Sequence, residues 1–142
     1  MSWSTWHRRS ILVGLGALGA LALPPFHMIF FLFPALTGLI WLITRASLLR
    51  EAFGAGWWFG LGHGVLGYYW ITNAFMVDAS AHGFLAPIAI GFLSSTLAIF
   101  SGLPAAGAWW LCRWRKSGPI SYILVFAALW GTGEWTRSWF LT

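Results

Sequence analysis

The sequence predicts an all-α protein: an integral membrane helical bundle of about five transmembrane helices, amino end cytoplasmic and carboxyl end outside. Its 142 residues are 59% hydrophobic and 8% charged, with twelve tryptophans, far below the roughly 25% charge of soluble domains. The mean hydropathy is +0.76. Seven of the eight basic residues fall into three clusters separated by long apolar stretches: Arg8 with Arg9, Arg45 with Arg50, and Arg113, Arg115 with Lys116. The positive-inside bias puts such clusters on the cytoplasmic side. A pI near 10.4 would also suit a nucleic-acid binder, but that function needs a basic stripe on one exposed face. Here the charges sit at the ends of lipid-length segments, so no nucleic-acid partner is expected.

The first apolar stretch, Ile11 to Leu23, covers only about 20 Å as a helix, short of the roughly 30 Å hydrocarbon core. Trp3 and Trp6 in the interface and snorkelling Arg8 and Arg9 extend it, so a span is expected at 5–23. Pro24-Pro25 cannot continue a helix and marks a tight outer turn. Another apolar stretch follows at once where a signal peptide would show a small-residue cleavage site, so the first span is read as uncleaved. The second span, 28–43, contains Pro34, whose freed carbonyl must be satisfied by a neighbouring helix, so a kink packed against protein is expected there. Arg45 and Arg50 mark the inner loop. The third span, 52–71, is rich in glycine and ends in Tyr68, Tyr69 and Trp70, as an outer aromatic belt would. Residues 72–82 are polar, with Asp78 and no basic residue, as an outer segment should be. The fourth span, 84–111, exceeds what a bilayer needs and contains Pro104, so tilt or a kink must absorb the excess. Pro119 opens a fifth span, 120–135. Arg137 is the basic residue out of pattern, and Glu134 lies at the i,i+3 spacing that lets the two pair at the outer interface.

The motifs point to packing more than to chemistry. Gly14-x-Gly16-x-x-Gly19 matches a dinucleotide fingerprint as a string, but it lies in an apolar helix with no preceding strand. Small residues in a membrane helix permit close helix contact instead. Gly56, Gly60 and Gly64 repeat every four residues and line one face of the third span, for helix packing or, alternatively, a groove that admits an acyl chain. His63, inside the same span, is an ionisable group in an apolar setting and a functional candidate by default. Haem ligation would want a second histidine at matching depth, and His7, His27 and His82 map to span ends or loops. Asp78, Ser80 and His82 crowd into one loop, too short for a hydrolytic triad without a scaffold. The only acids are Glu51, Asp78 and Glu134, too few for paired carboxylates or a carboxylate metal cage. Cys112, the only cysteine, excludes an intrachain disulfide and reads as a packing residue at the cytoplasmic edge. No catalytic residue, metal site or cofactor is expected.

Three stretches carry a resemblance: Leu21 to Phe26 (LALPPF), Gly60 to Thr72 (GLGHGVLGYYWIT) and Ala127 to Thr142 (AALWGTGEWTRSWFLT). Together they resemble the amino-terminal membrane region of the bacterial apolipoprotein N-acyltransferase family. In that family a helix ends in a small-Pro-aromatic turn. A glycine-rich helix then runs into an aromatic-Trp-aromatic end, and a later helix closes with Leu-Trp and Glu-aromatic-x-Arg-x-Trp before a Leu-Thr-Gly-Phe-Pro-Trp segment. The terminal pattern is the most specific part.

The resemblance implies a multi-pass protein of the bacterial inner membrane with its carboxyl end periplasmic. It implies an enzyme that moves an acyl chain from a membrane phospholipid to the lipidated first cysteine of an apolipoprotein. That chemistry belongs to a carbon-nitrogen-hydrolase-like domain with a Glu-Lys-Cys triad, which follows the membrane helices and is absent from these residues. None of the triad carries over, so the chain is expected to be a membrane-anchor fragment, inactive by itself. Its expected contribution is a substrate or lipid interface made by Tyr68, Tyr69, Trp70, Glu134, Trp135, Arg137 and Trp139. Arg137 is the best phosphate partner, and interface anchoring with a Glu134–Arg137 pair is the simpler alternative. From another class, a small oligomeric transporter or channel subunit, or a purely structural membrane protein, is the competing reading. The transporter reading is weakened by the scarcity of in-membrane charge.

Overall fold

The computed structural model describes residues 4–76, 83–115 and 118–141, and every regular element among them is helical. The order is α1 (Thr5–Ala20), a 3-10 turn (Ile29–Phe31) leading into α2 (Leu32–Thr44), and α3 (Leu49–Gly67). A second 3-10 turn (Tyr69–Ile71) leads into a short α4 (Thr72–Met76), followed by α5 (Leu85–Leu97), α6 (Ile99–Trp114) and α7 (Pro119–Leu141). Asp78, Ser80, His82, Trp3 and Lys116 lie outside the described residues.

The ends of these helices have local causes. Helix α1 stops at Ala20, short of the expected Leu23, because Pro24 disfavours helical geometry just before it. The chain then turns through a cis Pro24–Pro25 bond and His27 at φ 52°. The Met28 N–H donates to the Leu21 carbonyl at 2.9 Å, which closes the turn. Pro34 falls in the first turn of α2, where a proline costs no hydrogen bond, so the expected mid-span kink does not arise there. Helix α3 begins at Leu49, before the expected Ala52. A Glu51 carboxylate oxygen in its first turn accepts the Ser47 N–H at 2.9 Å, which favours that earlier start. Helices α5 and α6 meet at Ala98, whose N–H donates to the Ser94 carbonyl and whose carbonyl accepts the Gly102 N–H, both at 2.9 Å. The two therefore form one helical stretch of 30 residues, Leu85–Trp114, long and apolar enough to cross a membrane. Pro104 lies inside α6 without ending it. Helix α7 runs past the expected end at 135, so Glu134 and Arg137 belong to one continuous helix.

Packing centres on α3. A methyl group on Gly16 of α1 would collide with the Phe59 carbonyl oxygen of α3, and one on Gly62 with the Val13 carbonyl oxygen of α1. The two backbones thus touch with no side-chain layer between them, which only glycine allows. On another face of α3, a methyl group on Gly56 would strike the Ser101 carbonyl of α6. On Gly60 it would come within 2.8 Å of the Ser101 hydroxyl, and on Gly64 within 2.9 Å of the Ser94 Cβ of α5. Around these contacts lies a core built on Leu12, Leu39, Ile43, Phe59, Ala105 and Phe126. The outside is apolar as well: Phe30 is 84% exposed, Phe92 75% and Ile120 73%. Soluble monomers rarely show apolar surface on this scale.

The described arginines of the three basic clusters gather at one end. Arg8 of α1 donates to the Leu42 carbonyl in the last turn of α2 at 3.0 Å and faces Glu51 of α3 at 3.7 Å. The Trp109 indole of α6 donates to the Ala46 carbonyl at 2.8 Å, and Arg113 lies over that same ring.

Two glycine substitutions separate packing from helix propensity. Gly62→Ala forces a methyl group onto a backbone carbonyl and is expected to destabilise the bundle by about 1–3 kcal/mol. Gly91→Ala meets nothing within 4 Å and should be neutral or stabilising by up to about 1 kcal/mol. Thermal unfolding in detergent reads both.

Candidate functional site

The residues on one face of α7, Trp130, Glu134 and Arg137, follow i, i+4, i+7 spacing and turn toward the carboxyl end of α3. There they meet His63 and Tyr68 around a cavity of 460 Å³. Its walls are mostly apolar: Leu23, Leu36, Phe59, Leu97 and Trp130. Gly60 and Gly64 also border it, so the face that packs α3 on α5 and α6 opens at one edge onto free space.

Arg137 organises the polar side. One terminal nitrogen, Nη1, donates to the Tyr68 hydroxyl at 2.9 Å, and the other, Nη2, pairs with the Glu134 carboxylate. The guanidinium is half-buried, held from two helices, and retains donors beyond these two contacts. The Tyr68 hydroxyl accepts from Arg137 and keeps its own proton to give. His63 stacks nearly parallel on Phe59, with ring centroids 6.3 Å apart, and its Nδ1 is buried without a hydrogen-bond partner. The cavity therefore offers one fixed cation and one hydroxyl donor on an apolar lining, with the His63 ring in its wall. That suits the neck of an amphiphile: an anionic group at Arg137 and a hydrocarbon portion along the leucine and aromatic walls. Among the described residues, no three His, Cys, Asp or Glu side chains come together to hold a metal ion.

The seven residues expected at the outer interface divide into three groups. Tyr68, Glu134 and Arg137 meet in the cavity. Tyr69 and Trp70, 41% and 60% exposed, border a separate recess of 500 Å³ against Pro24 and Pro25. Trp135 and Trp139 are exposed on α7, their ring centroids 6.3 Å apart. His63, Phe59 and Trp130 were not anticipated as partners of this group. The signal was available in register: Gly60 and Gly64 on α3 and Tyr68 just past its end recur every four residues, with His63 beside them. Gly56 lies deeper, covered by Ser101, Gly102 and Ala105.

An all-helical domain, apolar outside, with a charged recess at one end of the bundle, is the class of protein that this geometry defines. Residues 15–142 match the family described as the apolipoprotein N-acyltransferase N-terminal domain, and the chain belongs to that family. An apolipoprotein N-acyltransferase of Allorhizobium ampelinum is 37% identical over 146 residues, covering 96% of this chain and 27% of the relative. Relatives of the same name from Rhizobium etli and Rhodopseudomonas palustris are 39% and 38% identical, covering 95% and 100% of this chain and 26% of each relative. The chain thus spans about a quarter of the length of the curated relatives it matches.

Tyr68→Phe removes the acceptor that ties α3 to α7 and is expected to lower stability by about 1 kcal/mol. Tyr69→Phe, on the exposed neighbour, should leave the thermal midpoint unchanged. Equal midpoints for the two variants would show that the Arg137–Tyr68 contact adds nothing.

Proposed function

We propose that this chain is the multi-pass membrane part of an inner-membrane enzyme that transfers an acyl chain from a phospholipid to the amino-terminal lipidated cysteine of an apolipoprotein. In this reading α1, α2, α3, the α5–α6 stretch and α7 are the five spans, with the arginine-rich end cytoplasmic and the Tyr68–Glu134–Arg137 end periplasmic. What supports the orientation is the gathering of Arg8, Arg9, Arg45, Arg50 and Arg113 around one end, while Arg137 at the other is paired with Glu134. What supports the lipid environment is the apolar exterior, together with the helical stretch of 30 residues.

The observation that carries the reading is Arg137, pinned by Tyr68 and Glu134 at the edge of an apolar-walled cavity of 460 Å³. Its role is to hold the phosphate of a phospholipid so that the lipid is presented to a catalytic domain outside the membrane. A planar guanidinium can bind phosphate oxygens in a bidentate way, and pre-positioning by two protein groups lowers the ordering cost. Exposed Tyr69, Trp70, Trp135 and Trp139 anchor the same end at the lipid interface.

In the full-length protein, Arg137→Ala is expected to cut acyl transfer from phospholipid to a diacylglyceryl-cysteine peptide by about tenfold or more, with expression maintained. Arg137→Lys should recover only part of that loss, because an ammonium cannot form the fork. Unchanged transfer in a well-expressed Arg137→Ala protein would end the phosphate role.

A further inference from the structure

At the opposite end of α3 lies a second cavity, of 480 Å³, between the start of α1 and the start of α3. Arg8, Arg9 and Arg50 line it together with a single acid, Glu51. Three positive charges against one negative leave a formal +2 around an open space.

The remaining charge is available for a ligand. Glu51 is largely committed to the protein: one of its oxygens accepts the Ser47 N–H at 2.9 Å and faces Arg8 only at 3.7 Å. Arg8 is fixed by donating to the Leu42 carbonyl. Arg9 is held differently, its guanidinium carbon lying over two indole rings, 5.2 Å from the Trp6 centroid and 5.3 Å from that of Trp58. Contact with an indole ring uses no oxygen acceptor, so the Arg9 N–H groups remain for one. Arg50 is exposed and completes the rim. Below the charges the wall turns apolar, with Leu12 and Trp58.

We propose that this cavity is an anion site that binds a phosphate group through Arg9 and Arg50, with Arg8 as a fixed third charge. The phosphate comes from the headgroup of an anionic lipid or from free phosphate. The half-buried Trp58 and the exposed Trp6, 71% accessible at the rim helix, favour the lipid, whose glycerol and upper acyl carbons would lie along Trp58. The site is separate from Arg137 and does not rest on the acyl-transfer reading.

The test is titration of the full-length protein in nonionic detergent, read by native mass spectrometry, with phosphatidylglycerol, phosphatidylethanolamine and inorganic phosphate as probes. Both lipids can reach Arg137, and phosphatidylglycerol is expected to fill one site more than zwitterionic phosphatidylethanolamine does. Arg9→Gln/Arg50→Gln should weaken binding at that additional site about tenfold or more. Arg50→Glu, at an exposed position, serves as the second variant should the double change disturb folding, and should weaken the same lipid without moving the thermal midpoint. Inorganic phosphate that matches and displaces phosphatidylglycerol would support the anion site and assign it to soluble phosphate. Equal retention of phosphatidylglycerol by wild type and Arg50→Glu, or saturation by none of the probes, would overturn the proposal.

Discussion

Helix α3 is held against α1 at backbone distance, and the position of nearly everything else follows from that contact. With Gly16 beneath the Phe59 carbonyl and Gly62 beneath that of Val13, the two helices cannot slide by a residue without driving a side chain into a peptide group. Their register is therefore fixed by sterics rather than by a few strong bonds. In an apolar surrounding, where burial of hydrocarbon gives little net drive between helices, such dense dispersion contact is the main source of cohesion. The same register sets His63 beside Gly19 and stacks it on Phe59. On another face, Gly56, Gly60 and Gly64 bring α5 and α6 equally close, so α3 is clasped from two directions by elements far apart in the chain.

The two ends of this clasped helix differ chemically. At one, arginines rest on indole rings: Arg45 lies 4.0 Å from the Trp41 centroid and Arg113 5.1 Å from that of Trp109. This arrangement neutralises no charge. It shields the apolar face of each guanidinium and keeps the polar edge for headgroups or water. At the other end, Arg137 is tied edge-on by Tyr68 and Glu134. The first arrangement leaves positive charge available over a wide area, and the second confines it to one point in a cavity. The same side chain is thus treated in two ways, its hydrogen-bonding edge left open at one end and tied down at the other.

Much of the fold was legible in the sequence because its causes are local. Pro24-Pro25 and the clusters of arginine delimit segments without reference to tertiary structure, and the four-residue glycine repeat states which face of α3 is bare. The departures also have local causes, such as Glu51 favouring an earlier start of α3 and Pro34 falling in the first turn of α2. The site was legible only in part. The Glu134–Arg137 pair follows from i,i+3 spacing on one helix, but Tyr68 lies 69 residues from Arg137, and no pattern along the chain measures that distance in space. For the same reason, Arg8, Arg9 and Arg50 read as orientation signals and not as the walls of one cavity.

The cavity at the Arg137 end joins segments that lie far apart along the chain. Gly19, His63 and Tyr68 belong to α1 and the end of α3, whereas Trp130, Glu134 and Arg137 lie on α7, the last described helix. Until α7 docks, the Tyr68 hydroxyl faces an unfilled cleft and Arg137 has only its helical neighbour to bind. The recess is consequently a product of assembly. A bundle in which α7 has not seated can already hold its α1–α3 contact, yet the recess around Arg137 does not exist until α7 closes it, so this recess reports on tertiary docking and not on helix formation alone.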